Sequence, residues 1–406
     1  MRGCDVAEQK DGVVSAVARV GAIAAALAVA AVPSGAMGAD WHLNGSITEE
    51  FEYDNNFRLS PDDEETLWGF NTRPKLGVEA HAPRTDLYLN GVLNYGFFPD
   101  DTDENSFDQR GDLSLRHRTE RSVFGVSGNV SHETTRTSEE LDSGRDFSDS
   151  ERIALGGNAS WSHTLTELVG VGISGGSGYV TYDTDALSDY RTFYGGPFVS
   201  FQLTERDSLY LTGTYSRYDR LTGDNLESDL FVGNAVWNRI FTPQISASLR
   251  AGANYVSTDE DVTVGGTTVS TSDDNVGYDG GASITYTEER ASLTGSFSHS
   301  VVPSSLGRLQ RRNSLALHAS YKMAPLITLG FTTNFIQQEA AEGGSEDRNY
   351  ITAEPGVTWH FLPNWYARAA YRFRTQTLDE GDRAYSNGGV ASVSWRLPSW
   401  SPGMGK

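Results

Sequence analysis

Eight short turns, each flanked by residues that alternate apolar and polar, constrain this chain more than any other feature. They read A-P-R-T-D (82–86), R-T-E-R (118–121), T-L-T-E (164–167), L-T-E-R-D (203–207), F-T-P-Q (241–244), T-E-E-R (287–290), M-A-P-L (323–326) and F-L-P-N (361–364). The flanking runs are roughly 10 to 14 residues long, about twice an ordinary strand, and successive side chains of a strand point to opposite faces. Longer connections rich in Gly, Ser and Asp separate one hairpin from the next. Short turns at one edge, long polar loops at the other and strands with one apolar face define an all-β chain of a particular kind. It is a single antiparallel transmembrane β-barrel with short periplasmic turns and long acidic extracellular loops.

Eight hairpins with one further strand at each end predict about 18 strands over residues 40–398, an even number that closes antiparallel. Both barrel ends then lie at the short-turn edge. The lipid face is read from Trp41, Leu43, Ile47 and Phe51 in the first strand, Leu87, Leu89, Leu93 and Tyr95 in the third, and Ala391, Val393 and Trp395 in the last. The run 229–240 is apolar in both phases, so its lipid face is left open. Trp161, Phe201, Tyr286, Tyr321, Trp359, Phe361 and Trp365 lie beside short turns, where an aromatic girdle belongs.

The composition agrees. Hydrophobic residues make up 38% of the chain, which has 43 glycines, and no run after residue 39 reaches the length of a membrane-spanning helix. A barrel needs an apolar residue only at every second position, so its average hydropathy stays low. A soluble propeller or sandwich would need shorter strands and apolar residues facing a dry core; here the second face is mostly Ser, Thr, Asn, Gly, Arg and Asp.

Residues 1–39 read as a cleaved secretory signal: Arg2, Lys10 and Arg19 flank or precede the apolar run 20–32, and Pro33 and small residues follow to Ala39. Cys4, the one cysteine, lies in that segment, so the mature chain has no thiol chemistry. At the other end Trp395 and Leu397 are followed by a short tail, 399–406, after the last strand. The net charge of −22 opposes nucleic-acid binding.

The strand phases send a set of basic residues inward: Arg73 and Lys75, Arg110 and Arg116, Arg250, and Arg368, Arg372 and Arg374. Because the last strand of a closed barrel pairs with the first, those near the two ends share one wall. A cationic wall concentrates anions, although the inward acids Glu50, Glu52, Asp108 and Asp112 can neutralise it. Tyr88, Tyr190, Tyr194 and Tyr366 are candidate sugar-stacking rings on the same inward faces. The acidic connections, among them 62–65, 100–104, 139–151, 259–261, 273–274, 346–347 and 379–382, read as solvated loops, with divalent-cation sharing as the sharper alternative. Of these regions, 133–151 is the best candidate for a loop folded into the lumen, and 258–275 the second.

Nothing in the chain calls for a cofactor, a resident metal or a catalytic residue. The eight histidines are scattered without ligand spacing, and the Ser-His neighbours at 131–132 and 298–300 point to opposite strand faces. One stretch, F-E-Y-D-N-N-F-R-L-S-P-D-D-E (51–64), resembles an outer-membrane β-barrel porin family often associated with exopolysaccharide secretion loci; the motif proper is 53–60. The resemblance implies a conduit through a Gram-negative outer membrane for an exopolysaccharide, an anionic one given the arginines. The expected partners are outer-membrane lipid and lipopolysaccharide, the barrel-assembly machinery and periplasmic polysaccharide-export components. The residues alone equally fit a general or anion-preferring diffusion porin, or a non-transporting structural or adhesive barrel.

Overall fold

A sheet of strands with one apolar and one polar face escapes exposed edges only by closing on itself. The computed structural model, which describes residues 39–143, 150–264, 267–341, 347–378, 381 and 383–398, shows that closure. Its strands are β1 (Asp40–Asp54), β2 (Leu67–Ala82), β3 (Thr85–Phe97), β4 (Ser106–Arg118), β5 (Ser122–Thr134) and β6 (Glu151–Thr164). There follow β7 (Val169–Tyr182), β8 (Tyr190–Gln202), β9 (Asp207–Arg220), β10 (Asn225–Thr242), β11 (Ile245–Val264) and β12 (Thr267–Thr287). The last six are β13 (Ala291–Pro303), β14 (Leu309–Ala324), β15 (Ile327–Ala340), β16 (Arg348–Leu362), β17 (Trp365–Leu378) and β18 (Arg383–Arg396).

These strands form one 18-stranded sheet in which each neighbours the next in sequence, and β1 pairs with β18 as well as β2. All pairs are antiparallel; Phe51, for example, sits between Phe70 and Ala391. The expected closed barrel is therefore the observed one. Residues 1–38, with the expected signal, and 399–406, the expected tail, lie outside the described residues, as do Glu346, Asp379, Glu380 and Asp382 of the acidic segments.

Directly paired residues share a face, so the register fixes which side chains look outward. Leu89 pairs with Leu113, Val126 with Ala159, Leu315 with Phe335 and Val357 with Ala369, giving a continuous apolar exterior. Phe70, Leu93, Ile173, Leu249 and Trp359 are about half exposed on it. An exterior of that kind is stable only in lipid. Trp161, Phe201, Tyr286, Tyr321 and Trp359 all fall on the outward phase beside the short turns.

The phase of β10, ambiguous in sequence, is settled by its neighbours. Phe231 pairs with Tyr215 and Tyr255, and Trp237 with Leu209 and Leu249, so these two and Ala235 face lipid. Leu226, Leu230 and Val232 face inward, where they join a buried cluster described below. The outward face of β10 also marks the membrane belt. Asp229 at one end faces Arg217, and Arg239 at the other pairs with Asp207 at 3.4 Å. The residues between them, 230–238, match the roughly 9–11 residues a tilted strand needs to cross a bilayer.

One expectation is corrected. Asp259, Glu260, Asp261, Asp273 and Asp274 are not in loops but in the ladder of β11 and β12, which runs unbroken from the Ile245–Tyr286 pair to the Val264–Thr267 pair. The region 258–275 is thus an extension of the barrel wall rather than a loop folded into the lumen. Pairing continues beyond the membrane belt, where charged side chains on a strand stay in water.

The register makes a stability prediction. Ile173 faces lipid and its neighbour Ser174 faces the lumen. Ile173→Arg is expected to destabilise the barrel by on the order of 2–4 kcal/mol, and Ser174→Arg by far less, in denaturant unfolding measured in phospholipid vesicles. Equal costs would contradict the assigned faces.

Candidate functional site in the barrel lumen

All eight basic residues expected inside are on the inward phase of their strands: Arg73 and Lys75 on β2, Arg110 and Arg116 on β4, Arg250 on β11, and Arg368, Arg372 and Arg374 on β17. What the structure adds is carboxylate partners for six of them. Arg73 meets Glu50 at 2.9 Å and donates to Asn94, Arg110 meets Glu133 at 2.5 Å, and Arg250 meets Asp279 at 2.9 Å. Arg368 and Arg372 share the two carboxylate oxygens of Glu354 on β16. Arg374 reaches Asp54 of β1 at 2.8 Å and Glu140 at 3.3 Å. The wall is a ladder of ion pairs rather than a bare cationic surface, and Glu354 and Glu140 were not singled out in the sequence.

Glu140 belongs to the β5–β6 connection, the region expected to fold inward, and its described residues 135–143 do so. After β5 the chain makes a single helical turn, α1 (Thr135–Ser138), and then crosses the lumen. Glu139 is fully buried; its carboxylate accepts hydrogen bonds from the Tyr182 hydroxyl of β7 (2.8 Å), from Ser143 and from Ser305 (2.6 Å each). Glu140 accepts from the Tyr350 hydroxyl at 2.6 Å, and Asp142 pairs with Arg312 of β14 at 2.6 Å. Arg348 of β16 donates to the backbone carbonyls of Glu140 and Asp142. The loop is therefore latched from β7 to β17 almost wholly by polar contacts.

Two further loops turn in beside it. Residues 304–308, after β13, lean across to the β7–β9 side: Ser188 donates its backbone N–H to the Ser305 carbonyl at 2.7 Å. Gly307 has φ +84, and a Cβ there would lie 2.6 Å from the Ser188 hydroxyl, so glycine is required by both conformation and space. Beneath this bridge Tyr182, Leu187, Tyr190, Tyr218, Leu226, Leu230, Val256 and Leu309 form an apolar core inside the mouth. Residues 55–66, after β1, insert Leu59 against Ile336, Tyr350 and Ala384.

The mouth is thus filled on the β6–β11 side, while on the other side the lumen keeps a cavity of about 350 Å³. Glu52, Asp54, Arg73, Arg136, Glu140, Arg372 and Arg374 line it. Arg136, another residue not singled out in the sequence, lies over the Phe98 ring at 4.3 Å and within 3.6 Å of Glu52.

The candidate stacking tyrosines separate. Tyr194 lies on the inward face of β8, 38% exposed. Tyr190 is buried in the mouth core, 5.4 Å from the Tyr218 ring, and has no face left for a solute. Tyr366 carries the Arg396 guanidinium over its ring at 4.8 Å, and Tyr88 meets the His81 ring edge-on at 5.5 Å.

Two loop carboxylates are shifted in opposite directions. Burial, reinforced by the charge of Glu139, pushes Asp142 up to about 6 against the opposing charges of Arg312 and Arg152. Burial also acts to raise Glu140, but the Arg374 charge and the Tyr350 hydrogen bond outweigh it and hold the carboxyl below its ordinary value. The raised Asp142 favours the latched loop as pH falls through about 6, because the docked state takes up the proton. Glu140 keeps contributing until pH falls through its lowered value. Fewer channel openings are therefore expected at pH 5 than at pH 7.5, and Asp142→Asn removes the difference. A variant that responds like the wild type in bilayer recordings would rule this latch out.

No family model matches the chain, and no curated protein matches it in sequence. Among solved structures it is similar to the copper transporter OprC, with a TM-score of 0.49 and 10% identity over 87% of this chain and 69% of that one. It is similar also to OccAB3 of Acinetobacter baumannii, with a TM-score of 0.44 and 9% identity over 90% of this chain and all of that one. With OpdQ of Pseudomonas aeruginosa the TM-score is 0.45, with 10% identity over 89% of this chain and 98% of that one. At such identities, what this barrel does has to be read from its own lumen.

Proposed function

We propose that the chain is an outer-membrane pore that, with its loops latched, passes small hydrophilic solutes through a narrowed, charge-paired eyelet. One observation carries this reading: residues 135–143 enter the lumen and bond to strands on the far wall, through Arg312, Tyr350 and Arg374. A barrel of 16–18 strands otherwise leaves a wide aqueous channel, and a loop held across it limits what passes. Paired arginines and carboxylates suit polar solutes and give weak discrimination between simple ions.

Export of an exopolysaccharide, the reading implied by the family resemblance, requires the loop to leave the lumen. Its polar latch is the feature that favours this second reading, since such contacts exchange with water more readily than an apolar seal. Purified barrel in planar bilayers and in swelling liposomes distinguishes the cases. Step conductance with uptake of monosaccharides and exclusion of long polymers is expected. Polymer passage at the same pH would favour export, and absence of any conductance would leave a structural or adhesive barrel.

A further inference from the structure

Charge is unevenly distributed around the lumen. Most of the ion-pair ladder lies on β1–β5 and β14–β18, with Arg250 and Asp279 on β11 and β12, whereas below the mouth the wall from β6 to β9 turns uncharged residues inward. On β7 these are Gly170, Gly172, Ser174, Gly176 and Gly178. Their neighbours on β8 are aromatic: Gly176 pairs with Tyr194 and Gly172 with Phe198. A Cβ on Gly176 would come within 2.7 Å of the Tyr194 hydroxyl, and one on Gly172 within 2.2 Å of the Phe198 ring. The tip of each ring therefore fills the space above a glycine, and Asn158 of β6 donates to the Tyr194 hydroxyl at 3.1 Å.

Tyr194 is 38% exposed and Phe198 partly so, and Tyr210 on β9, opposite Ser200, is also 38% exposed. Tyr194 and Phe198 are four residues apart on one strand, about 13 Å along it, a distance that an oligosaccharide spans and a monosaccharide does not. Two residues below Tyr210, Ser208 opens onto a second cavity of about 320 Å³, where hydroxyl and amide groups such as Gln202, Asn238 and Ser246 stand beside Glu205, Arg206 and Arg239.

We propose that the β7–β9 wall is a binding track for neutral oligosaccharides, with Tyr194, Phe198 and Tyr210 stacking on sugar faces. A pyranose has an apolar C–H face and a rim of hydroxyls. Exposed aromatic faces bordered by Ser, Thr and Asn complement both parts, and the absence of charge on this wall matches an uncharged ligand. The proposal rests on the lumen being an aqueous path, as inferred above, and it names the class of solute that path selects.

The rings also shield the glycines, so the informative variant is Tyr194→Leu with Phe198→Leu: leucine covers the floor and cannot stack. Maltohexaose binding to the detergent-purified barrel by titration calorimetry, and its block of ion current in bilayers, are the readouts. The wild type is expected to bind and the double variant to bind roughly tenfold more weakly, at about 0.7 kcal/mol per ring, with unchanged heat-modifiable migration. A trigalacturonate probe is expected to bind no more tightly than the neutral sugar. Lack of maltohexaose binding, equal binding by the leucine variant or preference for the uronate would each overturn the track. A barrel that conducts and does not bind refutes this inference alone; one that binds and does not conduct refutes the pore instead.

Discussion

A variant in which residues 136–149 are replaced by a short Gly-Ser turn is expected to conduct several times more current per channel than the wild type. The loop crosses the lumen, and its side chains are held by Tyr182, Ser305, Arg312, Tyr350 and Arg374 on well-separated parts of the wall. None of these contacts is a ladder hydrogen bond, so β5 and β6 remain paired from Ser122–His163 to Thr134–Glu151 and the barrel stays closed. The freed Arg312 and Arg374 border the water-filled lumen, whereas Tyr182 and Tyr350 lose their carboxylate partners beside apolar clusters, so a moderate loss of stability accompanies the larger current. Single-channel recording gives the answer directly. Unchanged conductance would place the narrowest point elsewhere, and the pH response tied to Asp142 should vanish together with the loop.

The second large effect concerns charge. Converting Arg368, Arg372 and Arg374 together to Ser leaves Glu354 with neither of its arginines and strips Asp54 and Glu140 of Arg374. At about 4 Å and an intermediate dielectric an unpaired charge acts on a passing ion with on the order of 4 kcal/mol, less at higher salt. Three uncompensated carboxylates should therefore drive the reversal potential in a salt gradient firmly toward cation selectivity. Glu354→Gln alone, which frees Arg368 and Arg372, should move it toward anions. If neither variant shifts the reversal potential, the ladder lies off the ion path.

Both expectations depend on features that differ in how far the sequence revealed them. The inward placement of Arg368, Arg372 and Arg374 follows from counting by twos from Ala367 and Ala369, because a strand's side-chain period is local and the short turns fix where each count begins. Closure, strand number and the lumen phase of the eight basic residues follow in the same way. Strand β10 escapes that logic. Its inward face is apolar too, since Leu226, Leu230 and Val232 join a core within the mouth, so the alternation that marks other strands is lost.

The acidic hairpin of β11 and β12 was misplaced for a related reason. Acidic composition usually marks a loop, but a strand that extends beyond the membrane is solvated on its charged positions and can carry the same residues. Partners were less legible still. Glu139 and Ser305, Glu140 and Tyr350, and Asp142 and Arg312 meet across the barrel from distant points of the chain, and no periodicity links residues so far apart.

Sequence alone determined that this chain closes into an antiparallel barrel and, outside β10, which residues face its lumen, because both follow from a two-residue period counted between punctual turns. Tertiary structure decided what the lumen is. It brought Glu139, Glu140 and Asp142 across to the far wall, matched most of the lumen arginines with carboxylates, filled one side of the mouth with an apolar core and set the tips of Tyr194 and Phe198 over glycines. Those outcomes depend on contacts between chain segments that meet only once the barrel has closed.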